Sequence, residues 1–128
     1  MIKKKLILFD FDGTIVDSQN IKELAFKKIY ENYGIEKKTL IENYLKKNTG
    51  VDRFKKFEYI NKFILHKEYN NEIGKKLSDD FSSYVLDQII NAPFISGAKE
   101  FLEKYHQKIF IYLFSATPID ELILIIKK

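Results

Sequence analysis

Leu6-Ile7-Leu8-Phe9-Asp10-Phe11-Asp12-Gly13-Thr14-Ile15-Val16-Asp17-Ser18 is a short apolar run that stops at two carboxylates, a glycine and a hydroxyl. An apolar run of this length bounded by a turn signal reads as a buried parallel strand, and in open α/β sheets ligands bind beyond the carboxyl ends of strands. Asp10 and Asp12 are thereby expected at that edge. Side chains two apart in extended backbone point the same way, so both carboxylates face one ligand while Phe11 packs behind them. Gly13 lets the chain turn sharply afterwards. The plain alternative is an acidic turn after a core strand. A calcium loop starting at Asp10 fails on spacing, because its sixth and twelfth positions require glycine and glutamate and this chain has Ile15 and Ile21 there.

The same pattern recurs far along the chain. Ile109-Phe110-Ile111-Tyr112-Leu113-Phe114 is followed by Ser115-Ala116-Thr117-Pro118, an apolar strand and then a polar edge. By itself Ser-Ala-Thr-Pro is a common helix-starting turn, with a hydroxyl residue as cap and proline in the first turn. Strands are expected near residues 5–9 and 109–114.

Asp10-Phe11-Asp12-Gly13-Thr14-Ile15-Val16-Asp17-Ser18 resembles the first signature motif of the haloacid dehalogenase superfamily, particularly its phosphoglycolate-phosphatase-like members. The resemblance implies phosphoryl transfer: Asp10 attacks phosphorus to give an aspartyl-phosphate, and Asp12 protonates the leaving oxygen and later activates water. It also implies Mg²⁺, held by the Asp10 carboxylate and the Asp12 backbone carbonyl, since magnesium prefers oxygen ligands and keeps several waters. Ser115 matches the family's second motif, whose hydroxyl binds the transferring phosphoryl group. The backbone N–H groups of Ala116 and Thr117 are expected to add donors where the next helix begins.

Between the motifs the sequence reads as helical. Asn20 with Glu23, and Thr39 with Glu42, have capping-box spacing, and Ile21, Ala25, Ile29 and Tyr33 recur every fourth residue, with Gly34 as the expected stop. Ile73, Leu77, Phe81, Val85 and Ile89 mark one face of another helix. These stripes read as helix core rather than as a cofactor box. Asn91 to Leu102 resembles the family's re-entry from cap into core. The expected architecture is therefore α/β: a partial Rossmann-like parallel-sheet core formed by residues 1–16 and 93–128, with an inserted α-helical cap over residues 17–92.

Arg53 is the one arginine in a chain whose other basic side chains are lysines. A guanidinium binds phosphate or carboxylate with two parallel hydrogen bonds, which an ammonium does not. Gly50-Val51-Asp52-Arg53-Phe54-Lys55-Lys56-Phe57 is similar to a cap segment of some family members, which implies substrate contacts from Arg53 and Lys56. The alternative is a surface salt bridge, worth under about 1 kcal/mol.

The resemblance also implies a phosphate-binding lysine motif and a later acidic cluster that completes the magnesium site. Neither is found, and Lys127 and Lys128 lack the required distance from Ser115. The chain is accordingly expected to stop after the second motif, with its activity reduced and its sheet incomplete. Two parallel strands make a poor sheet, because parallel sheets are normally covered on both faces. Ile119, Leu122, Ile123, Leu124, Ile125 and Ile126 form an apolar stretch that further sheet structure would bury.

With 45% hydrophobic and 31% charged residues, the 128-residue chain belongs among globular proteins. The absence of cysteine excludes disulfides, thiol nucleophiles and zinc-thiolate sites, and fits a cytoplasmic setting. The basic opening Met1-Ile2-Lys3-Lys4-Lys5 mimics a signal peptide, but Asp10 and Asp12 interrupt the apolar run too early. No membrane or nucleic-acid partner is expected. The net charge of +4 permits a nucleic-acid-binding module, yet the lysines are interspersed with acids and no recognition motif stands out. Five scattered glycines build neither a P-loop nor a dinucleotide fingerprint, and His66 and His106 lack zinc-ligand spacing and read as exposed helix residues. The expected ligand is a small phosphorylated metabolite. The competing reading is a non-catalytic interaction protein that pairs through an unpaired strand edge, and no feature sets an oligomeric state.

Overall fold

Residues Leu6–Asp10 form β1 and Phe110–Phe114 form β2, and the two pair in parallel with Leu6 opposite Phe110 and Asp10 opposite Phe114. The computed structural model describes residues 5–127. The opening Met1-Ile2-Lys3-Lys4 and Lys128 lie outside the described residues. Both strands are rich in the aliphatic and aromatic residues that fit a pleated surface. Their parallel register brings both carboxyl ends, Asp10 and Phe114, to one edge.

Between the strands run five helices: α1 (Gln19–Ile29), α2 (Ile35–Lys47), α3 (Arg53–Tyr59), α4 (Asn71–Ile90) and α5 (Ala98–Tyr105). A π-helical turn over Ile60–Ile64 continues α3, and α6 (Ile119–Ile126) follows β2. Two helix starts are closed by side chains. Asp52 Oδ1 accepts from the Phe54 and Lys55 amides (2.9 and 3.4 Å), and Asn70 Oδ1 accepts from the Ile73 amide (2.9 Å).

The capping boxes read from sequence do not form. Ser18, not Asn20, is the N-cap of α1, and it makes no side-chain cap bond; its hydroxyl donates to Asp12. Thr39 sits inside α2, where its hydroxyl donates to the Ile35 carbonyl (2.9 Å). Gly34 starts α2 instead of stopping α1, which ends at Ile29. Tyr33 therefore lies beyond the helix. His66 is exposed, but in the loop before α4 with φ 54°, not on a helix; His106 is the exposed C-cap of α5.

The core lies mainly among the helices. Phe26 of α1, Phe57 of α3 and Phe81 of α4 pack ring against ring, with centroids 4.8 to 6.2 Å apart. Phe81, Val85 and Ile89 of the α4 stripe are fully buried, whereas Ile73 and Leu77 at its start are half-buried. Burying such side chains contributes roughly 1.5 to 3 kcal/mol each, so this stripe anchors the helical layer. The sheet is less well covered. Phe101 of α5 packs edge-to-face on Phe9 at 5.5 Å, while Leu6 and Leu8, on the opposite face by strand alternation, are 64% and 67% exposed. Leu122 and Ile125 of α6 are buried, but Ile119, Leu124 and Ile126 are exposed. Among the described residues, no helix is long and apolar enough to cross a membrane.

Candidate active site at the carboxyl edge of the sheet

Asp10 ends β1, and Asp12 lies just beyond it in the turn that the strand's last hydrogen bonds initiate. Phe11 anchors this turn. Its ring is buried, its amide donates to the Phe114 carbonyl (3.0 Å) and to Asp10 Oδ1 (2.8 Å), and its carbonyl accepts from the Ile15 amide (2.9 Å). Gly13 has φ +73°, in the left-handed region where a side chain costs conformational energy. Its amide closes onto the Val16 carbonyl at 2.8 Å. The expected packing of Phe11 behind two carboxylates is what forms, and Asp10 and Asp12 line one cavity of about 170 Å³.

Four side chains converge on the Asp12 carboxylate. Ser18 donates to Oδ1 (2.6 Å), and Lys22 Nζ approaches Oδ2 at 2.5 Å. Ser115 and Thr117 donate their hydroxyls to Oδ2, each at 3.3 Å. Lys22 Nζ also donates to Thr117 Oγ1 (2.9 Å), so a residue of α1 bridges the two strand edges. Burial is the largest influence on the Asp12 carboxyl and pushes it up. The Lys22 charge together with the donors from Lys22, Ser18 and Ser115 overcomes it, holding the carboxyl below the usual carboxylate range.

The segment 115–117 folds on itself. The Thr117 amide donates to Ser115 Oγ (3.0 Å), and Thr117 is buried with its hydroxyl between Asp12 and Lys22. With that hydroxyl engaged, Pro118 and not Thr117 occupies the N-cap of α6. Ala116 and Thr117 line the cavity.

Arg53 and Lys56 line the same cavity from α3. Arg53 is not a surface residue: it is 5% exposed and forms a bidentate pair with Glu121 of α6 (2.9 and 2.8 Å). Its guanidinium also donates to Ser82 (2.9 Å) and lies 4.5 Å from the centre of the Phe81 ring. Glu121 accepts from Ser82 as well (2.5 Å), so α3, α4 and α6 are tied at one point. Lys56 donates to the Thr49 carbonyl (3.2 Å) and sits 5.5 Å from the Phe26 ring centre. Burial, with the like charge of Lys22 adding to it, holds the Lys56 ammonium below the usual lysine range.

Three contributors were not singled out from sequence: Ser18, Lys22 and Glu121. Ser18 and Lys22 carry a local signal, since spacing of four places them on one side of the first turn of α1. Glu121 carries a weaker one, an acid in the first turn of a helix.

A family model described as haloacid dehalogenase-like hydrolase matches residues 7–114. No curated protein matches the chain. Among solved structures, a hydrolase from Pseudomonas syringae aligns with TM-score 0.74 and 18% identity, over 98% of this chain and 55% of that one. A beta-phosphoglucomutase from Clostridium difficile aligns with TM-score 0.68 and 24% identity, over 97% and 57%. A hydrolase of this kind from Bacillus subtilis, described as bound to magnesium, aligns with TM-score 0.63 and 16% identity, over 98% and 60%. The chain thus spans little more than half the length of these structures, and at such identities the likeness is one of fold.

Proposed function

The chain belongs to the haloacid dehalogenase-like hydrolases, and from that membership we propose that it carries the site of a magnesium-dependent phosphatase of small phosphomonoesters. The observation that carries the reading is the meeting of Asp10, Asp12 and Ser115 at one sheet edge, although Ser115 lies 103 residues from Asp12 in the chain. In this reading residues 17–92 form the cap and residues 1–16 and 93–128 the core.

Asp10 is the nucleophile. One of its oxygens accepts the Phe11 amide, which orients the carboxylate, and the other attacks phosphorus. The bond from phosphorus to the leaving oxygen breaks, and Asp12 delivers the proton that oxygen needs. Water then attacks the aspartyl-phosphate, Asp12 takes its proton, and inorganic phosphate leaves with Asp10 restored. An ionised Asp12, the form its surroundings favour, suits this second step, and the proton it takes from water there is the one it delivers to the leaving oxygen in the next turnover. Ser115 binds the phosphoryl group, with the Ala116 and Thr117 backbone beside it. In this reading Arg53 and Lys56 bound the leaving-group side of the cavity from α3, with Arg53 kept on Glu121.

Magnesium fits the donor chemistry of this edge. The Asp10 carboxylate and the Asp12 backbone carbonyl would hold it. Among the described residues no group of three or more His, Cys, Asp or Glu is arranged to hold a metal, so water would complete the shell, as magnesium tolerates. When bound, the ion reduces repulsion between carboxylate and phosphate. The cavity, about 170 Å³, falls below the roughly 300 Å³ at which drug-sized pockets begin, which favours a small substrate. Phosphoglycolate and sugar phosphates are the first candidates, and the setting is taken to be cytoplasmic.

The test is magnesium-dependent phosphate release from a generic aryl phosphate by the wild type and by Asp10→Asn. Turnover in the wild type alone supports the reading, and equal rates in both refute it. A second reading, a non-catalytic interaction protein, is favoured by the exposed Leu6, Leu8 and Phe114. A stable monomer by size-exclusion mass counts against it.

A further inference from the structure

We propose that Lys22 is a phosphoryl-binding residue: its ammonium, parked on Asp12 when no anion is present, receives a non-bridging oxygen of the phosphoryl group. The proposal rests on the phosphatase reading for the fate of the anion, but not for its binding.

Lys22 stands where both strand edges meet. Its Nζ lies 2.5 Å from Asp12 Oδ2, beyond β1, and 2.9 Å from Thr117 Oγ1, beyond β2. An ammonium has three donors and no acceptor. Two are engaged by these contacts, which leaves one donor on a side chain that lines the cavity together with Asp10. A phosphoryl group that approaches Asp10 also approaches Asp12, and both carboxylates repel it. A cation within this cluster offsets part of that repulsion, beside the part that bound magnesium would offset.

The other two cavity cations are committed elsewhere. Arg53 has its fork filled by Glu121 and Ser82. Lys56 is held by the Thr49 carbonyl and packs against Phe26. Lys22 is the cavity cation in direct contact with Asp12, the second aspartate of the first motif. Its long, flexible stem lets the ammonium move from one acceptor to another without helix movement, which suits a point charge that follows a phosphate. Asp12 then serves as a placeholder that keeps the ammonium near the site between turnovers.

The experiment is titration of the full chain with inorganic phosphate, in magnesium-containing buffer, by calorimetry and by NMR of the lysine Nζ resonances. Loss of one charge-assisted hydrogen bond predicts that Lys22→Met weakens phosphate binding roughly tenfold to a hundredfold. Lys22→Arg stays within a few fold of wild type, and the Lys22 Nζ resonance of the wild type shifts as phosphate saturates. Equal affinity in Lys22→Met, an unmoved Nζ resonance, or no phosphate binding by the wild type overturns the proposal. If Lys22→Met does not fold, as judged by circular dichroism, the wild-type Nζ resonance decides. Should phosphate binding depend on Lys22 while aryl phosphate hydrolysis is the same in wild type and Asp10→Asn, the phosphatase reading falls and the anion site stands.

Discussion

Glu121→Ala removes the carboxylate that neutralises a guanidinium left only 5% exposed. Breaking a buried pair by deleting one partner costs about 3 to 5 kcal/mol, because the surviving charge is stranded away from water. Glu121 keeps 18% side-chain exposure, so water partly reaches the vacated space and the expected loss is about 3 kcal/mol, the lower end of that range. For a chain of this size that is a large share of a total near 5 to 15 kcal/mol, and it lowers the melting temperature by about 10 °C. The hydroxyls of Ser78 and Ser82, at 3.4 and 2.9 Å from Arg53, soften the loss without replacing the charge. The double variant Arg53→Met/Glu121→Met removes both charges and regains stability to within about 1 kcal/mol of wild type, since well-packed apolar replacements of buried pairs are often neutral. Urea denaturation followed by far-UV circular dichroism measures the full cycle. A Glu121→Ala cost below about 0.5 kcal/mol, the range of ordinary surface changes, would refute the claim that this pair ties α3 and α4 to α6.

Gly13→Ala meets no steric obstacle, its nearest neighbour being Gln19 Oε1 at 3.9 Å, yet it is forced to φ +73°. It should cost about 1 to 2 kcal/mol of stability by thermal melting, and a neutral result would mean that the turn relaxes. Tyr30 is buried and its hydroxyl donates to Asn61 Oδ1 (3.3 Å); burial, with the nearby Tyr33 and Tyr69 adding to it, pushes its phenol well above 10. A raised folded-state value means the unfolded chain loses this proton first. Stability from Tyr30 is therefore intact below about pH 10 and falls as pH rises beyond it. Tyr30→Phe should flatten that alkaline limb while costing roughly 1 kcal/mol at neutral pH for the lost bond. An unchanged limb in alkaline urea melts would assign the loss to other groups.

What could be read from the sequence and what could not divide along chain separation. The two polar-ended strands, the burial of Phe11 and the stripe from Phe81 to Ile89 were legible because period and turn chemistry are local, whereas the pairing of the strands across the chain came from the family resemblance alone. Arg53 was legible as unusual, but its partner was not: Glu121 lies 68 residues away on a helix whose pattern says nothing of α3. Lys22 was passed over for the same reason, since one of its partners, Thr117, is 95 residues distant. The misread helix starts involve hydroxyls that take other partners. Those of Ser18 and Thr117 donate to Asp12 and that of Thr39 donates to the Ile35 carbonyl, and a sequence pattern does not show whether a hydroxyl will cap a helix or turn to another group.

The central claim is that Asp10 becomes covalently phosphorylated during turnover. Acid quenching of wild type and Asp10→Asn mixed with an aryl phosphate and magnesium, followed by peptide mass spectrometry, tests it most directly. The account predicts a phosphorylated peptide containing Asp10 in the wild type and none in the variant. Phosphate release without modification of Asp10, or turnover that persists in Asp10→Asn, would contradict it.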